Sequence, residues 1–245
     1  MKRTSLLLFF LFCLSGVSFA QEVGYLLLDW GSVKVTSGNK SKLYLEPNVK
    51  IPLNAKDEVH SSNNARGRIY LRGESEMIEV YAATLVKLAD YSAAQTGLDM
   101  PVGKGRFVVA PKKGPARFQV RTANALIGVK GTDFMVQSQG ANTLVLTLDG
   151  TVALSSLSEP GKVVELTKDL ISSVNKSAAP TPPVKVNQTT KDSLLKKDGA
   201  TAVDLGALDA AKVLNLSDSA KMPVELNQFA PSSNNSNKIK FTITN

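Results

Sequence analysis

Few side chains in this sequence could serve as nucleophile, general base or metal ligand, and their spacing decides what each could do. His60 is the only histidine. A Ser-His-Asp triad or a histidine-based metal site would have to use it. It lies in Asp57-Glu-Val-His-Ser, a strand-to-turn stretch with no second ligand at metal spacing, and reads as an exposed or capping histidine. Ser37-Gly-Asn-Lys40 and Ser173-Val-Asn-Lys176 match the Ser-x-x-Lys pattern of penicillin-interacting enzymes. That chemistry needs the serine at a helix start and a Lys-Thr-Gly strand. Neither serine opens a helix by pattern, and the chain has Lys130-Gly131-Thr132 instead. Gly97 to Lys104 resembles a phosphate loop, but its glycines are one residue too far apart. Gly105 also stands where Ser or Thr would hold magnesium.

Asp133 and Asp149 are the acids to check first for glycoside hydrolysis, which needs two carboxyls about 5 to 9.5 Å apart across a cleft. Each sits beside a glycine turn, where an acid more often shapes the turn or is solvated. The sharpest local feature is Gly128-Val-Lys-Gly-Thr-Asp-Phe. Two glycines three apart imply a tight backbone reversal, with positive φ expected at Gly128 or Gly131. Thr132 can bond the turn, and Phe134 enters the next strand. The reading is a turn joining two core strands, with Lys130 exposed for a partner. No catalytic residue, cofactor site or metal site is assigned. The turn and partner-contact candidates are Gly128, Lys130, Gly131, Thr132, Asp133, Asp149 and Gly150.

These residues sit among short alternating runs. Val33 and Val35 share one face, as do Ile69 and Leu71 between charges. Gly105-Arg-Phe-Val-Val and Phe118-Gln-Val-Arg-Thr read the same way, and Thr84-Leu-Val-Lys-Leu also reads as strand. Leu144, Leu146 and Leu148 alternate before Asp149-Gly150, a hairpin signal, and Val152 and Leu154 resume after it. Residues 118–154 therefore read as a β-meander. The fold class expected over 21–173 is all-β: a short-strand β-solenoid, or a curled sheet or sandwich. A proline-rich linker, read as extended, follows at 174–188. The C-terminal extension, 189–245, reads as short helices and coil. It holds a capped helix from Thr190 to Gly199, another over Leu205–Leu214, a polar spacer at Ser232–Asn237 and a last strand at Lys238–Thr244.

The ends and totals bound the compartment and the partners. Met1-Lys2-Arg3, an apolar run from Leu6 to Leu14 and Ser18-Phe19-Ala20 form a secretory signal peptide, expected to be cleaved after Ala20. The apolar run is too short to span a bilayer, so the mature chain is expected to carry no transmembrane span. Cys13 is the only cysteine. The mature chain then has no disulfide and no thiolate, and must hold together by packing. About 225 residues suffice for one or two cores. The net charge of +8 falls to +6 with the loss of Lys2 and Arg3. Lys and Arg form no run longer than two, which does not fit nucleic acid. A diffuse positive surface suits solubility, or acidic envelope partners.

At this point the residues resemble a family. Gly31-x-Val33-x-Val35, Asp57-x-Val59-x-Ser61 and the run from Ala65 through Arg68-Ile to Leu71 resemble the first half of the FecR domain, known from iron-dicitrate-type sensor proteins. Phe118-x-Val120-x-Thr122, Ala125, Val129-Lys-Gly-Thr-Asp-Phe134-x-Val136 and Leu144-x-Leu146-x-Leu148-x-Gly150-x-Val152 resemble its second half. The likeness spans 24–170. Asn124 stands where the family usually has proline, and Lys130 where it has arginine. Classical members are membrane-anchored anti-sigma regulators with a cytoplasmic segment. This sequence offers no such segment, so direct sigma-factor contact is not expected. The resemblance implies a periplasmic β-rich module that binds protein partners, and no catalytic set transfers.

The expected function is an exported, non-enzymatic module that binds an envelope protein or an anionic envelope polymer through strand edges and glycine turns. One alternative is a structural component of a periplasmic assembly, such as a flagellar or appendage sheath or an outer-membrane complex. A second is a cell-wall hydrolase using His60, Asp133 and Asp149.

Overall fold

A computed structural model of the protein describes residues 22–114 and 117–195. Its first nine strands are β1 (Glu22–Trp30), β2 (Val33–Ser37), β3 (Lys40–Tyr44), β4 (Lys50–Asn54), β5 (Glu58–Ser61), β6 (Arg66–Leu71), β7 (Glu76–Val80), β8 (Leu85–Tyr91) and β9 (Thr96–Val109). Eight more follow: β10 (Phe118–Arg121), β11 (Ala125–Val129), β12 (Thr132–Gln139), β13 (Asn142–Asp149), β14 (Thr151–Ser156), β15 (Val163–Thr167), β16 (Leu170–Asn175) and β17 (Val184–Lys185). One helix, α1 (Gln188–Leu195), ends the described chain. The fold is all-β, as expected from the alternating runs.

The strands form two sheets that share β9. Sheet A runs β4-β1-β6-β7-β9-β12-β13-β16-β17. Sheet B runs β3-β2-β5-β8-β9-β10-β11-β14-β15. Every pairing is antiparallel except β9 with β10. β9 is fourteen residues long, well beyond the short strands expected. Its first half pairs with β8 and β10, and its second half, from Gly103 onward, pairs with β7 and β12. The result is a curled sheet folded onto itself. Its inner faces bury a single core that joins Leu26, Ile69, Phe107 and Phe134 of sheet A to Val59, Leu98, Val120 and Leu154 of sheet B. Phe107 stacks on Phe134 with centroids 5.0 Å apart and meets the edge of Phe118, on the opposite sheet, at 6.0 Å.

Two expectations for residues 118–154 are corrected here. The stretch is not a meander, and Asp149-Gly150 is not a hairpin. β10 pairs with β11 and β12 with β13, but β11 lies in sheet B and β12 in sheet A. β13 and β14 likewise lie in different sheets. The glycine breaks at 131 and 150 are corners, where the chain passes from one sheet to the other. A meander and a two-sheet roll have the same alternation; only the pairing partners distinguish them.

The outer face of sheet A is also covered in its second half. Leu144, Val145 and Leu146 are buried in succession, so both faces of β13 are packed. Met135, Leu144, Leu146 and Ile171 form a second apolar cluster with Val184, Val186 and Leu194. The proline-rich stretch lies extended against β16. Thr181 N–H donates to Ser173 O at 2.8 Å, and Val184–Lys185 pairs with Ile171 and Leu170. Asn187 caps α1, its Oδ1 accepting from Thr190 N–H at 2.8 Å. The expected signal peptide with cleavage after Ala20 lies outside the described residues. So do the helix end at Gly199, the helix at Leu205–Leu214, the spacer at Ser232–Asn237 and the strand at Lys238–Thr244.

Candidate functional site

The fold brings most of the singled-out residues together at one corner. The chain leaves sheet B at Val129, turns through Lys130-Gly131 and enters sheet A at Thr132. The second corner, Asp149-Gly150, returns the chain to sheet B beside it. Thr132 Oγ1 donates to Thr151 O at 2.9 Å, so each corner bonds the other. Gly150 has φ +85°, and a Cβ there would stand 2.7 Å from Gly131 O and 3.1 Å from Thr132 Cα. On the other side a Cβ at Gly131 would meet Pro111 Cα at 2.2 Å. Glycine is required by this close approach. Positive φ was expected at Gly128 or Gly131, but neither shows it; the left-handed residue is Gly150. Gly128 sits inside β11 opposite Gln119 and Ala153.

Asp133 and Asp149 are register partners at the β12–β13 end, with a bulge after Asp133. Asp133 is taken by Arg106, which donates through Nε at 2.9 Å and Nη2 at 2.7 Å. That pairing raises the Arg106 pKa and keeps the guanidinium charged. Asp149 is exposed, with Lys168 at 4.0 Å. Lys130 is exposed, and its carbonyl accepts from Lys112 N–H at 3.1 Å.

The remaining candidates lie apart. His60 is exposed on β5 between Lys34 and Leu85. Ser37 and Lys40 close the two-residue turn between β2 and β3. Ser173 is buried in β16 against Thr181. Gly97 to Lys104 is not a loop but the body of β9. Among the described residues no group of three or more His, Cys, Asp or Glu side chains is placed to hold a metal ion.

Sequence reasoning missed a charge ladder on the outer face of sheet A. Arg68 of β6 stands opposite Glu79 of β7, and Glu79 opposite Arg106 of β9. Arg68 Nη2 donates to Asp29 at 2.6 Å, and Arg66 Nη2 to Glu79 at 2.8 Å. Tyr81 packs between two cations, Arg66 and Lys104, each 4.5 Å from its ring centroid. Burial, with a smaller push from Arg66, lowers the Lys104 pKa to about 8. Each charge was visible as an outward residue in an alternating run. Their partners come from strands up to 39 residues away, which no local pattern reveals.

Asn124 was also underread. Its Nδ2 donates to Val174 O at 2.8 Å and Lys176 O at 3.1 Å, and its Oδ1 accepts from Thr143 Oγ1 at 2.6 Å. It ties the β10–β11 turn to β13 and to the end of β16. Proline at this position, with no side-chain donor, could not make these bonds.

The fold and corner define an all-β, two-sheet domain built around crossing strands. Residues 57–153 match the family model described as FecR protein. This match is consistent with the likeness to the FecR domain read from the sequence. Two crystal structures of a proposed anti-sigma factor from Parabacteroides distasonis ATCC 8503, at 2.50 and 1.65 Å resolution, share the fold. Both give a TM-score of 0.50, with 18% and 19% identity, over 64% of this chain and 71% and 74% of theirs. No curated protein matches the chain.

The corner geometry gives a direct comparison. Gly150→Ala should cost about 3 kcal/mol in urea unfolding, from the left-handed backbone plus the clash with Gly131 O. Gly140→Ala, at φ +59° with nothing within 4 Å, should cost about 1 kcal/mol. Equal losses would show that the corners do not interlock.

Lys104 gives a pH signature. Its folded pKa lies below the unfolded value, so above pH 8 the unfolded chain holds the extra proton, and stability rises with pH up to about 10.5. Subtracting the Lys104→Met unfolding free energy from that of the natural chain should leave a difference that climbs between pH 8 and 10.5. A flat or falling difference would contradict the burial argument.

Proposed function

We propose that the protein is an exported FecR-domain module that works by binding an envelope protein and catalyses no reaction. The FecR match over residues 57–153 carries this reading. Within that segment the candidate residues have structural partners: Asp133 with Arg106, Thr132 with Thr151, and Gly131 with Pro111 and Gly150. Lys130 is exposed at the corner and free to meet a partner. FecR domains are typically periplasmic. Among the described residues no helix is long and apolar enough to cross a membrane. The solved anti-sigma factors support the fold; their assigned role suggests regulation by contact.

The test uses the full chain in its own cells. A photo-crosslinking amino acid at position 130 should give one discrete adduct with an envelope protein, and fractionation should place the chain outside the cytosol. A cytosolic chain would overturn the reading. So would purified protein that cleaves cell-wall polymer and loses that activity on Asp133→Asn, Asp149→Asn or His60→Ala.

A further inference from the structure

The exposed apolar residues of the described chain are concentrated at one end. Of the six large ones, four lie between 30 and 49: Trp30 at 45%, Leu43 at 58%, Leu45 at 64% and Val49 at 46% exposure. Leu43 lies in β3 and Leu45 just after it; β3 pairs with β2 alone among the described strands and leaves its other edge open. A hollow of about 480 Å³ lies on the outer face of sheet B on the β2 side of β3, lined by Leu43, Lys34, His60 and residues 61–64.

The hydrogen-bonding edge can be read from the turn. Ser37 and Lys40 flank a two-residue hairpin loop, the position of a hydrogen-bonded pair. Antiparallel pairs alternate, so Lys40, Lys42 and Tyr44 bond to β2, while Ser41 and Leu43 aim their N–H and C=O groups at the open edge. The side chains alternate too. Lys40 and Lys42 lie on the side where Val33 and Val35 are buried. Leu43 lies on the outer side, opposite Lys34.

The other edges differ. β4 carries Pro52, which has no N–H to offer, and β17 is two residues long. β15 presents Glu165, so it repels an acidic strand. A second copy fits β3 poorly. Two β3 edges would set lysine against lysine, a charge arrangement that blocks self-pairing. Continuing sheet B into the β15 of another copy would set Lys40 and Lys42 on the side of Val164 and Leu166, away from Glu165.

We propose that β3 is the docking edge for an extended partner segment in which acidic and apolar residues alternate. The segment adds to sheet B as a strand. Its backbone bonds to Ser41 and Leu43, its acids meet Lys40 and Lys42, and its apolar residues cover Leu43. This rests on the binding role proposed above and names the chemistry of the partner.

The probes are two capped peptides, Thr-Glu-Val-Glu-Val-Glu-Thr and Thr-Lys-Val-Lys-Val-Lys-Thr, titrated into the full chain with amide exchange followed by NMR. The acidic peptide should bind about tenfold more tightly, a difference that two or three exposed charge pairs supply. It should slow exchange at Ser41 and Leu43 while leaving Lys40 and Lys42 unchanged. The exposed double variant Lys40→Glu/Lys42→Glu should prefer the lysine peptide. Equal binding, no binding, or protection elsewhere would overturn the assignment. So would Ser41 and Leu43 amides already protected in the free chain, which would mean that its own residues or a second copy hold the edge. If position 130 crosslinks to its partner while β3 ignores the acidic peptide, the binding role stands and the edge assignment falls.

Discussion

The structure depends on one strand serving two sheets. β9 hydrogen-bonds within sheet B up to Val102 and within sheet A from Gly103 onward. Neither sheet can move as a body without breaking that strand. Phe107, on the second half of β9, then closes the gap by stacking on Phe134 and touching Phe118 across the core. A chain with a single cysteine can form no internal disulfide and needs such a device, because packing and backbone pairing must supply its cohesion.

The corners follow from this arrangement. A chain that builds two sheets in alternation has to cross between them repeatedly, and each crossing must be tight to keep the core dry. At Gly131 and Gly150 two crossings lie in contact, leaving no room for a side chain. The FecR-type run Val129-Lys-Gly-Thr-Asp-Phe134 is thus explained residue by residue. Val129 and Phe134 enter the core, glycine permits the contact, Thr132 bonds the neighbouring corner, and Asp133 fixes Arg106. Lys130 alone in this run turns its side chain to solvent.

Much of the architecture was legible because burial imposes a period of two. Val33 and Val35, Ile69 and Leu71, and Val152 and Leu154 were placed on inner faces by alternation, and all are buried. Partners were not legible. The same alternation allows a meander or a roll, so Asp149-Gly150 was taken for a hairpin when it is a crossing. Positive φ is expected at Gly128 or Gly131 because spacing cannot tell a glycine needed for φ from one needed for close approach. The ladder of Arg68, Glu79 and Arg106 was hidden for the same reason: charges on alternating strands look solvated until register sets them side by side. Asn124, read only as a departure from a family pattern, is a buried clamp whose acceptors lie 50 and 52 residues further along.

The central claim is that β9 makes both sheets one cooperative unit. Native-state hydrogen exchange across a urea series tests it most directly, through the amides of Leu98 and Met100 in the first half of β9 and of Phe107 and Val109 in the second. These four should open with one shared free energy, equal to that of global unfolding and falling with the same urea dependence. Two separate opening energies, with either half of β9 exchanging at lower urea than the other, would contradict the account.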